Sequence, residues 1–204
     1  MLPGRDRGVL RRVARGLFFW LVEQPLKMMS RYTAVMRTVI AVCGSDADDV
    51  RLSSEALAVA ECVGRGIAQR GGMLVCGGRG GVMEAACRGA KACGGVTVGI
   101  LPESKDEANP FIDIPVPTGL GMRRNILVPS AADVVIAIGG RWGTLSEICY
   151  ATIFGVPVVL IAGTGGCVDE LASGNLMRHS EVRLSVARSA EEAVEMAFVL
   201  AQKK

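Results

Sequence analysis

The chain has 204 residues, of which half are hydrophobic and 21% are charged, so it can bury one good core and is short for two full-sized domains. Its seven cysteines form no C-x-x-C pair, which argues against a disulfide framework and against a zinc site. We therefore expect one domain with reduced cysteines, located in the cytoplasm.

The net charge of +3 is unevenly distributed along the chain. Residues 1–37 carry eight Lys or Arg and two acidic residues, a net charge of +6, so the remainder has a net charge of −3. A mildly acidic body does not attract a polyanion. We therefore expect no nucleic-acid partner.

The basic segment contains an apolar run from Leu17 to Val22, which has three interpretations. The run is short for a signal peptide, is followed by Glu23 rather than a small-residue cleavage site, and is too short to span a bilayer. A basic amphipathic helix on a membrane or partner surface is the second interpretation. We favour the third, in which residues 1–37 are a poorly ordered extension outside a domain of residues 38–204, or translation starts at Met28, Met29 or Met36.

From residue 38 onward, short apolar runs rich in β-branched residues alternate with segments of helical periodicity. The predicted strands are 38–43, 73–76, 96–101, 134–138, 157–162 and 182–186, with a short extended piece at 114–117. The predicted helices are 53–69, 82–93, one starting after residue 118, one opening at residue 144, and 190–202. This alternation predicts a three-layer α/β domain with a mostly parallel sheet and helices on both faces.

Three predicted strands end in glycine-containing loops, which parallel strands place at one edge of the sheet. The loops are Gly44-Ser45, then Gly77 to Gly81, then Gly139 to Gly143. Where a strand is followed by a glycine loop and then by the start of a helix, backbone N–H groups and the positive end of the helix dipole point at one place. The sequence therefore predicts a phosphate-bearing ligand. Neither long loop has the Walker A or the G-x-G-x-x-G spacing, which argues against ATP hydrolysis and NAD chemistry.

Charged residues within these loops have two interpretations each. Arg79 and Arg141 can contact phosphate or carboxylate with two hydrogen bonds, or they can be solvated loop side chains. The spacing of Thr144 and Glu147 predicts a capping box that opens the helix, yet the same position allows Glu147 to accept ribose hydroxyls or activate water.

Two further arginines, Arg123 and Arg124, lie near the helix start that follows Thr118 and Gly119. A cation there opposes the helix dipole, so this pair suggests a bound anion. The alternative is that they pair with acidic side chains such as Asp113 or Glu147.

The distribution of histidine and lysine narrows the chemistry. His179 is the only histidine, which excludes a His-based triad or a multi-histidine metal site, and we expect no metal. None of the five lysines lies at a strand end, where a pyridoxal phosphate aldimine would be expected. Amino-acid decarboxylation is therefore not expected.

Three segments together resemble the LOG family, and most closely its branch of molybdenum cofactor carrier proteins. They are GGRWGTLSE from Gly139 to Glu147, CGGRGGVMEAACRGA from Cys76 to Ala90, and PTGLGMRRN from Pro117 to Asn125. The resemblance covers residues 38–162 and implies a Rossmann-like fold that forms a homodimer or higher homo-oligomer. It also implies hydrolysis of the N-glycosidic bond of nucleoside 5′-monophosphates to free base and ribose 5-phosphate, which requires no cofactor.

By position, the resemblance makes Arg124 and Glu147 the catalytic pair, with Glu147 holding the ribose and assisting water. In the carrier branch the same groove would hold the phosphorylated pterin of the molybdenum cofactor without breaking it. Retention of the arginine and the glutamate favours an enzyme, whereas Asn125 and Arg141, which replace a family lysine and glycine, favour a binding protein. Both classes stay open. The candidate ligand-binding residues are Gly44, Ser45, Gly77, Gly78, Arg79, Gly80, Gly81, Thr118, Gly119, Arg123, Gly139, Gly140, Arg141, Gly143 and Thr144.

Overall fold

The computed structural model describes residues 37–174 and 184–202. The expectations about the basic extension, apart from Arg37, lie outside the described residues, and so does His179. Within the two described ranges, no helix is both long enough and apolar enough to cross a membrane.

Seven parallel strands form one sheet in the order β4-β3-β2-β1-β5-β6-β7. The strands predicted at 73–76, 96–101 and 134–138 are confirmed at those bounds, those predicted at 38–43 and 157–162 shift by one residue at each end, and the last lies at 185–187 instead of 182–186. The extended piece at 114–117 is an edge strand paired with β3. The strands are β1 Val39–Gly44, β2 Met73–Cys76, β3 Val96–Leu101, β4 Ile114–Pro117, β5 Val134–Ile138, β6 Val158–Ile161 and β7 Ser185–Ala187.

Six α-helices and two 3₁₀ helices connect these strands in the described residues. Ser53 caps the first helix, because its Oγ accepts a hydrogen bond from the backbone N–H of Ala56 at 3.1 Å. The fifth helix lies between the strands predicted at 157–162 and 182–186, where no helix was predicted. The helices are α1 Ser54–Gln69, α2 Val82–Ala92, α3 Leu127–Ser130, α4 Trp142–Ile153, α5 Gly166–Ala172 and α6 Ala190–Ala201, with 3₁₀ helices at Lys105–Glu107 and Gly121–Ile126.

Alternating side chains of the strands build a core on each face of the sheet. On β1, Ile40 and Val42 belong to the cluster that includes residues of α1, α2 and α6. Ala41 and Cys43 belong to the opposite cluster, with residues of α3, α4 and α5. The domain is therefore a three-layer α/β Rossmann-like fold, as predicted.

The order of the strands reverses beside β1, which pairs with β2 on one side and with β5 on the other. The register of β1 and β5 ends with Gly44 opposite Ile138, so the loops that follow these strands are neighbours. Ligands of open α/β sheets bind at such a switch point, outside the carboxyl ends of the strands. The fold thus directs attention to these loops.

Candidate functional site

A cleft with a volume of about 220 Å³ opens at the switch point, where the loops after β1, β2 and β5 meet. The 3₁₀ helix Gly121–Ile126 and the first two turns of α4 complete its walls. Its lining residues are Gly44, Ser45, Asp46, Asp48, Arg79, Met83, Met122, Arg124, Asn125, Arg141, Gly143, Thr144 and Glu147.

A buried ion pair joins Arg124 to Glu147 within the cleft. The distance from Arg124 Nη1 to Glu147 Oε1 is 3.0 Å, and the two residues are only 3% and 6% exposed. Gly77 lies against the guanidinium, since a Cβ at this position would lie 2.5 Å from Arg124 Nη2. Arg124 Nε is buried and has no hydrogen-bond partner among the described residues. Unsatisfied buried donors are uncommon and call for a functional explanation.

The carboxyl group of Glu147 is in an environment that favours its neutral form. Burial raises the pKa of Glu147, and the charge of Arg124 and a hydrogen bond with Cys43 offset this only in part. Burial and the nearby carboxylate raise the pKa of the Cys43 thiol well above its usual value. The thiol therefore stays protonated beside Glu147, which suits a hydrogen-bond donor better than a nucleophile.

The capping box predicted for Thr144 and Glu147 is wrong. Helix α4 begins two residues earlier, at Trp142, and its N-cap residue Arg141 makes no side-chain capping bond with any described residue. Gly140, at φ +93°, allows this earlier start, and Thr144 packs so closely on it that an added Cβ would lie 2.3 Å from Thr144 Oγ1. Glu147 is thereby free to pair with Arg124.

The loop before α4 is held in place from β1. Ser45 Oγ accepts a hydrogen bond from the backbone N–H of Gly140 at 2.8 Å. The first-turn N–H groups of a helix lack intrahelical partners. Gly143 and Thr144 belong to that first turn and line the cleft, so N–H groups without intrahelical partners lie beside it, in a position that suits an anion.

Both loop arginines are paired with acidic residues of the loop after β1. Arg79 Nε lies 3.0 Å from Asp46 Oδ2, and Arg141 bonds to Asp48 through Nη2. Neither arginine is simply solvated, although each side chain is about two-fifths exposed. A bound phosphate would therefore exchange these partners rather than meet free cations.

Several candidate residues do not line the cleft. Arg123 is exposed on the 3₁₀ helix, and the hydroxyl of Thr118 donates to the carbonyl oxygen of Leu101 at 2.9 Å. Apart from Gly119, the candidate glycines outside the cleft lining allow close packing: a Cβ on Gly81, for example, would lie 2.4 Å from the carbonyl oxygen of Ser45. The candidates that the structure leaves outside the lining are Gly77, Gly78, Gly80, Gly81, Thr118, Gly119, Arg123, Gly139 and Gly140.

The cleft also contains residues that sequence reasoning did not select. Asp46 and Asp48 directly follow β1, a position that could have identified them, whereas Met83 and Met122 carry no sequence signal. Asn125 Nδ2 donates to Ser146 Oγ at 2.9 Å, which ties the 3₁₀ helix to α4.

A family model described as the SLOG cluster4 family matches residues 37–194. Among curated proteins, the chain is 46% identical over 97 residues to an uncharacterized protein of Archaeoglobus fulgidus, which covers 48% of this chain and 64% of that protein. It is 35% identical over 99 residues to the cytokinin riboside 5′-monophosphate phosphoribohydrolase of Mycobacterium tuberculosis, covering 47% and 53%. The matches thus span less than two thirds of either relative.

Solved structures match over more of the chain. The molybdenum cofactor binding protein of Rippkaea orientalis is 34% identical with a TM-score of 0.73, covering 82% of this chain and 99% of that one. The molybdenum cofactor carrier protein of Chlamydomonas reinhardtii is 32% identical with a TM-score of 0.70, covering 81% and 99%.

Proposed function

Because this chain belongs to the SLOG cluster4 family, a LOG-like Rossmann family, we propose that its cleft binds a small phosphorylated ligand and hydrolyses nucleoside 5′-monophosphates. The observation that carries this proposal is the buried pair of Arg124 and Glu147 in a cleft at the switch point of the sheet. A buried ion pair is costly to form, and pairs of this kind with perturbed pKa values are concentrated at functional sites.

The cleft supplies a group for each part of a nucleoside monophosphate. The backbone N–H groups of Gly143 and Thr144 suit the phosphate, with Arg79 and Arg141 available once they leave their aspartates. Glu147 then lies one turn further along α4, where its carboxylate can accept hydrogen bonds from ribose hydroxyls.

The reaction breaks the bond between C1′ and the base nitrogen and forms a bond between C1′ and a water oxygen. Glu147 accepts a proton from the attacking water, and its negative charge stabilises the developing oxocarbenium ion. The departing base nitrogen takes up a proton from solvent, and Glu147 then releases its proton to solvent. Arg124 favours the ionised carboxylate against the effect of burial. The products are free base and ribose 5-phosphate.

A second candidate function is the binding and carriage of the molybdenum cofactor. The observation that favours it is the likeness to carrier and binding proteins over about four-fifths of this chain, against about half for the phosphoribohydrolase. In this alternative, Arg124 and Glu147 only hold the phosphorylated pterin.

Purified protein incubated with AMP and a panel of nucleoside monophosphates, followed by chromatography for free base and ribose 5-phosphate, tests the proposal. We expect base release that Glu147→Gln lowers by about 10²-fold or more, because the general base is lost. Glu195→Gln, on the exposed face of α6, is the control and should release base at the wild-type rate.

A Glu147→Gln protein as active as wild type would remove the hydrolase proposal. No release by wild type, together with thermal stabilisation by a pterin phosphate, would support the carrier alternative. Light scattering on the same sample tests the homo-oligomer that we also propose.

A further inference from the structure

A second cavity, with a volume of about 500 Å³, adjoins the cleft. Arg141 lines both cavities. With 3.6 residues per turn, Gly143, Thr144 and Glu147 lie on one side of α4 and Trp142 and Leu145 on the other. The start of α4 therefore separates the two cavities, and Arg141, which is proposed to contact the phosphate, lies on the boundary between them.

An aromatic side chain stands at this second cavity with its surface open to solvent. Trp142 is 84% exposed, although it is a large hydrophobic residue at the start of a well-packed helix. Leu145 and Cys167 add apolar surface, while Arg51 and Glu170 add one hydrogen-bond donor and one acceptor group. An exposed indole next to polar side chains is a suitable platform for an aromatic heterocycle with polar edges.

We propose that this protein, in addition to nucleoside monophosphates, binds a dinucleotide, in which two aromatic ring systems are joined through a pyrophosphate. This inference rests on the proposed function, which places the first phosphate and its ribose in the cleft. The second phosphate contacts Arg141 at the boundary, and the second heterocycle stacks on Trp142.

The dimensions and the charges agree with such a ligand. The second cavity is within the range of about 300–1,000 Å³ that is typical of small-molecule sites. Arg141 bonds to Asp48, and its Nε lies 3.8 Å from Asp49 Oδ2. The second phosphate would replace these carboxylates as the partner of the guanidinium, which is two-fifths exposed. A nucleoside monophosphate would leave the second cavity empty of ligand.

Isothermal titration calorimetry with AMP, ADP and P1,P2-di(adenosine 5′) pyrophosphate tests this inference on the full-length chain. Glu147→Gln replaces wild type for any ligand that wild type hydrolyses. We expect the dinucleotide to bind about tenfold or more tightly than AMP or ADP, since stacking of one base on an aromatic ring contributes about that much.

Trp142→Ala should abolish this advantage while leaving the affinity for AMP unchanged. Ile153→Ala is the matched control, because Ile153 is a 71% exposed hydrophobic residue at the other end of the same helix. This variant should keep the full preference for the dinucleotide.

Three results would overturn the inference. The first is equal affinity of the wild type for the dinucleotide and AMP. The second is an equal loss of affinity for both ligands in Trp142→Ala. The third is a change of oligomer mass in Trp142→Ala, which would make the cavity an interface between copies. Binding of AMP without a gain for the dinucleotide defeats this inference alone. If neither nucleotide binds, the proposed function fails as well.

Discussion

Among the single residues of the cleft, Glu147 is subject to two opposed influences. Burial raises its pKa, while Arg124 at 3.0 Å and the Cys43 thiol stabilise the carboxylate. A carboxyl group whose pKa is raised toward the working pH is an effective general base. The surroundings of Glu147 therefore prepare it for proton transfer as well as for binding.

The raised pKa of Glu147 predicts a pH dependence of base release. Only the carboxylate accepts a proton, so kcat/KM should fall as the pH drops through this pKa. Arg124→Lys should move the acidic limb to higher pH, because lysine lacks the planar fork that holds the carboxylate, and the pKa of Glu147 then rises further. The measurement is the pH profile of kcat/KM for wild type and Arg124→Lys, with Arg123→Lys on the exposed neighbour as control.

The same shift fixes the sign of a stability effect. At pH values between the ordinary pKa of a glutamate and the raised pKa of Glu147, this carboxyl group is mostly protonated in the folded protein and mostly ionised in the unfolded chain. The contribution of the neutral carboxyl to stability is therefore complete at low pH and is lost as the pH rises through the raised pKa.

In the pH profile of kcat/KM, an acidic limb that moves to lower pH in Arg124→Lys would contradict this account of the site.

Among the helices, α1 and α2 cross at unusually short range on one face of the sheet. A Cβ on Gly64 would lie 1.8 Å from the carbonyl oxygen of Ala86, and one on Gly89 would lie 2.0 Å from that of Glu61. These glycines therefore let the two helices touch through their backbones. The contact fixes α2, whose preceding loop carries Arg79 into the cleft.

Gly64→Ala should lower the thermal stability, since its methyl group meets backbone that cannot move aside. We expect a loss of about 1–3 kcal/mol or more, which corresponds to a drop in Tm of several degrees. Gly66→Ala on the same helix is the control, because its Cβ would meet only the side chain of Val194, at 3.1 Å. Helix propensity favours alanine there by about 1 kcal/mol, so Tm should be unchanged or higher. Equal effects of the two substitutions would show that the helix crossing does not limit stability.

The elements differ in how well the sequence predicts them. Strands such as β5, whose five residues are all buried, are continuous apolar runs that are clear in the sequence. Helix α5 was missed because it begins at Gly166, within a cluster of glycines that resembles a loop. The start of α4 was misplaced because a capping-box spacing does not show whether the backbone turns earlier, as it does at Gly140.

The candidate site, like the helices and strands, was predicted in part from the sequence. Arg124 and Glu147 were selected from their positions near helix starts, with an ion pair between them as one interpretation, and only the resemblance made them a catalytic pair. The structure pairs the two side chains. The pairing of Arg79 and Arg141 with aspartates depends on side-chain conformations that no sequence pattern specifies. The position of Trp142 opposite the cleft required the true start of α4.

At the scale of the whole molecule, strands from both sides of the switch point contribute to each core cluster, and the cleft lies where the two sides meet. The described strands, cores and cleft all belong to the unit of residues 37–204. The family match begins at the same residue, 37. We therefore keep the proposal that the basic extension is not part of the fold, with its boundary moved by one residue, so that the domain begins at residue 37.

This proposal predicts that a chain starting at Met36 keeps its stability and its ligand. The deletion removes a net charge of +5 and leaves −2, yet it keeps every residue of the sheet, the two cores and the cleft that the structure describes. We expect the Tm and the affinity for AMP to equal those of the full-length chain, while binding to a cation-exchange column is lost. A deletion through Gly44 removes β1, the central strand, and should not fold, which confirms that the assay detects a damaged core. A lower Tm or weaker AMP binding in the shorter deletion would show that the basic segment contributes to the domain.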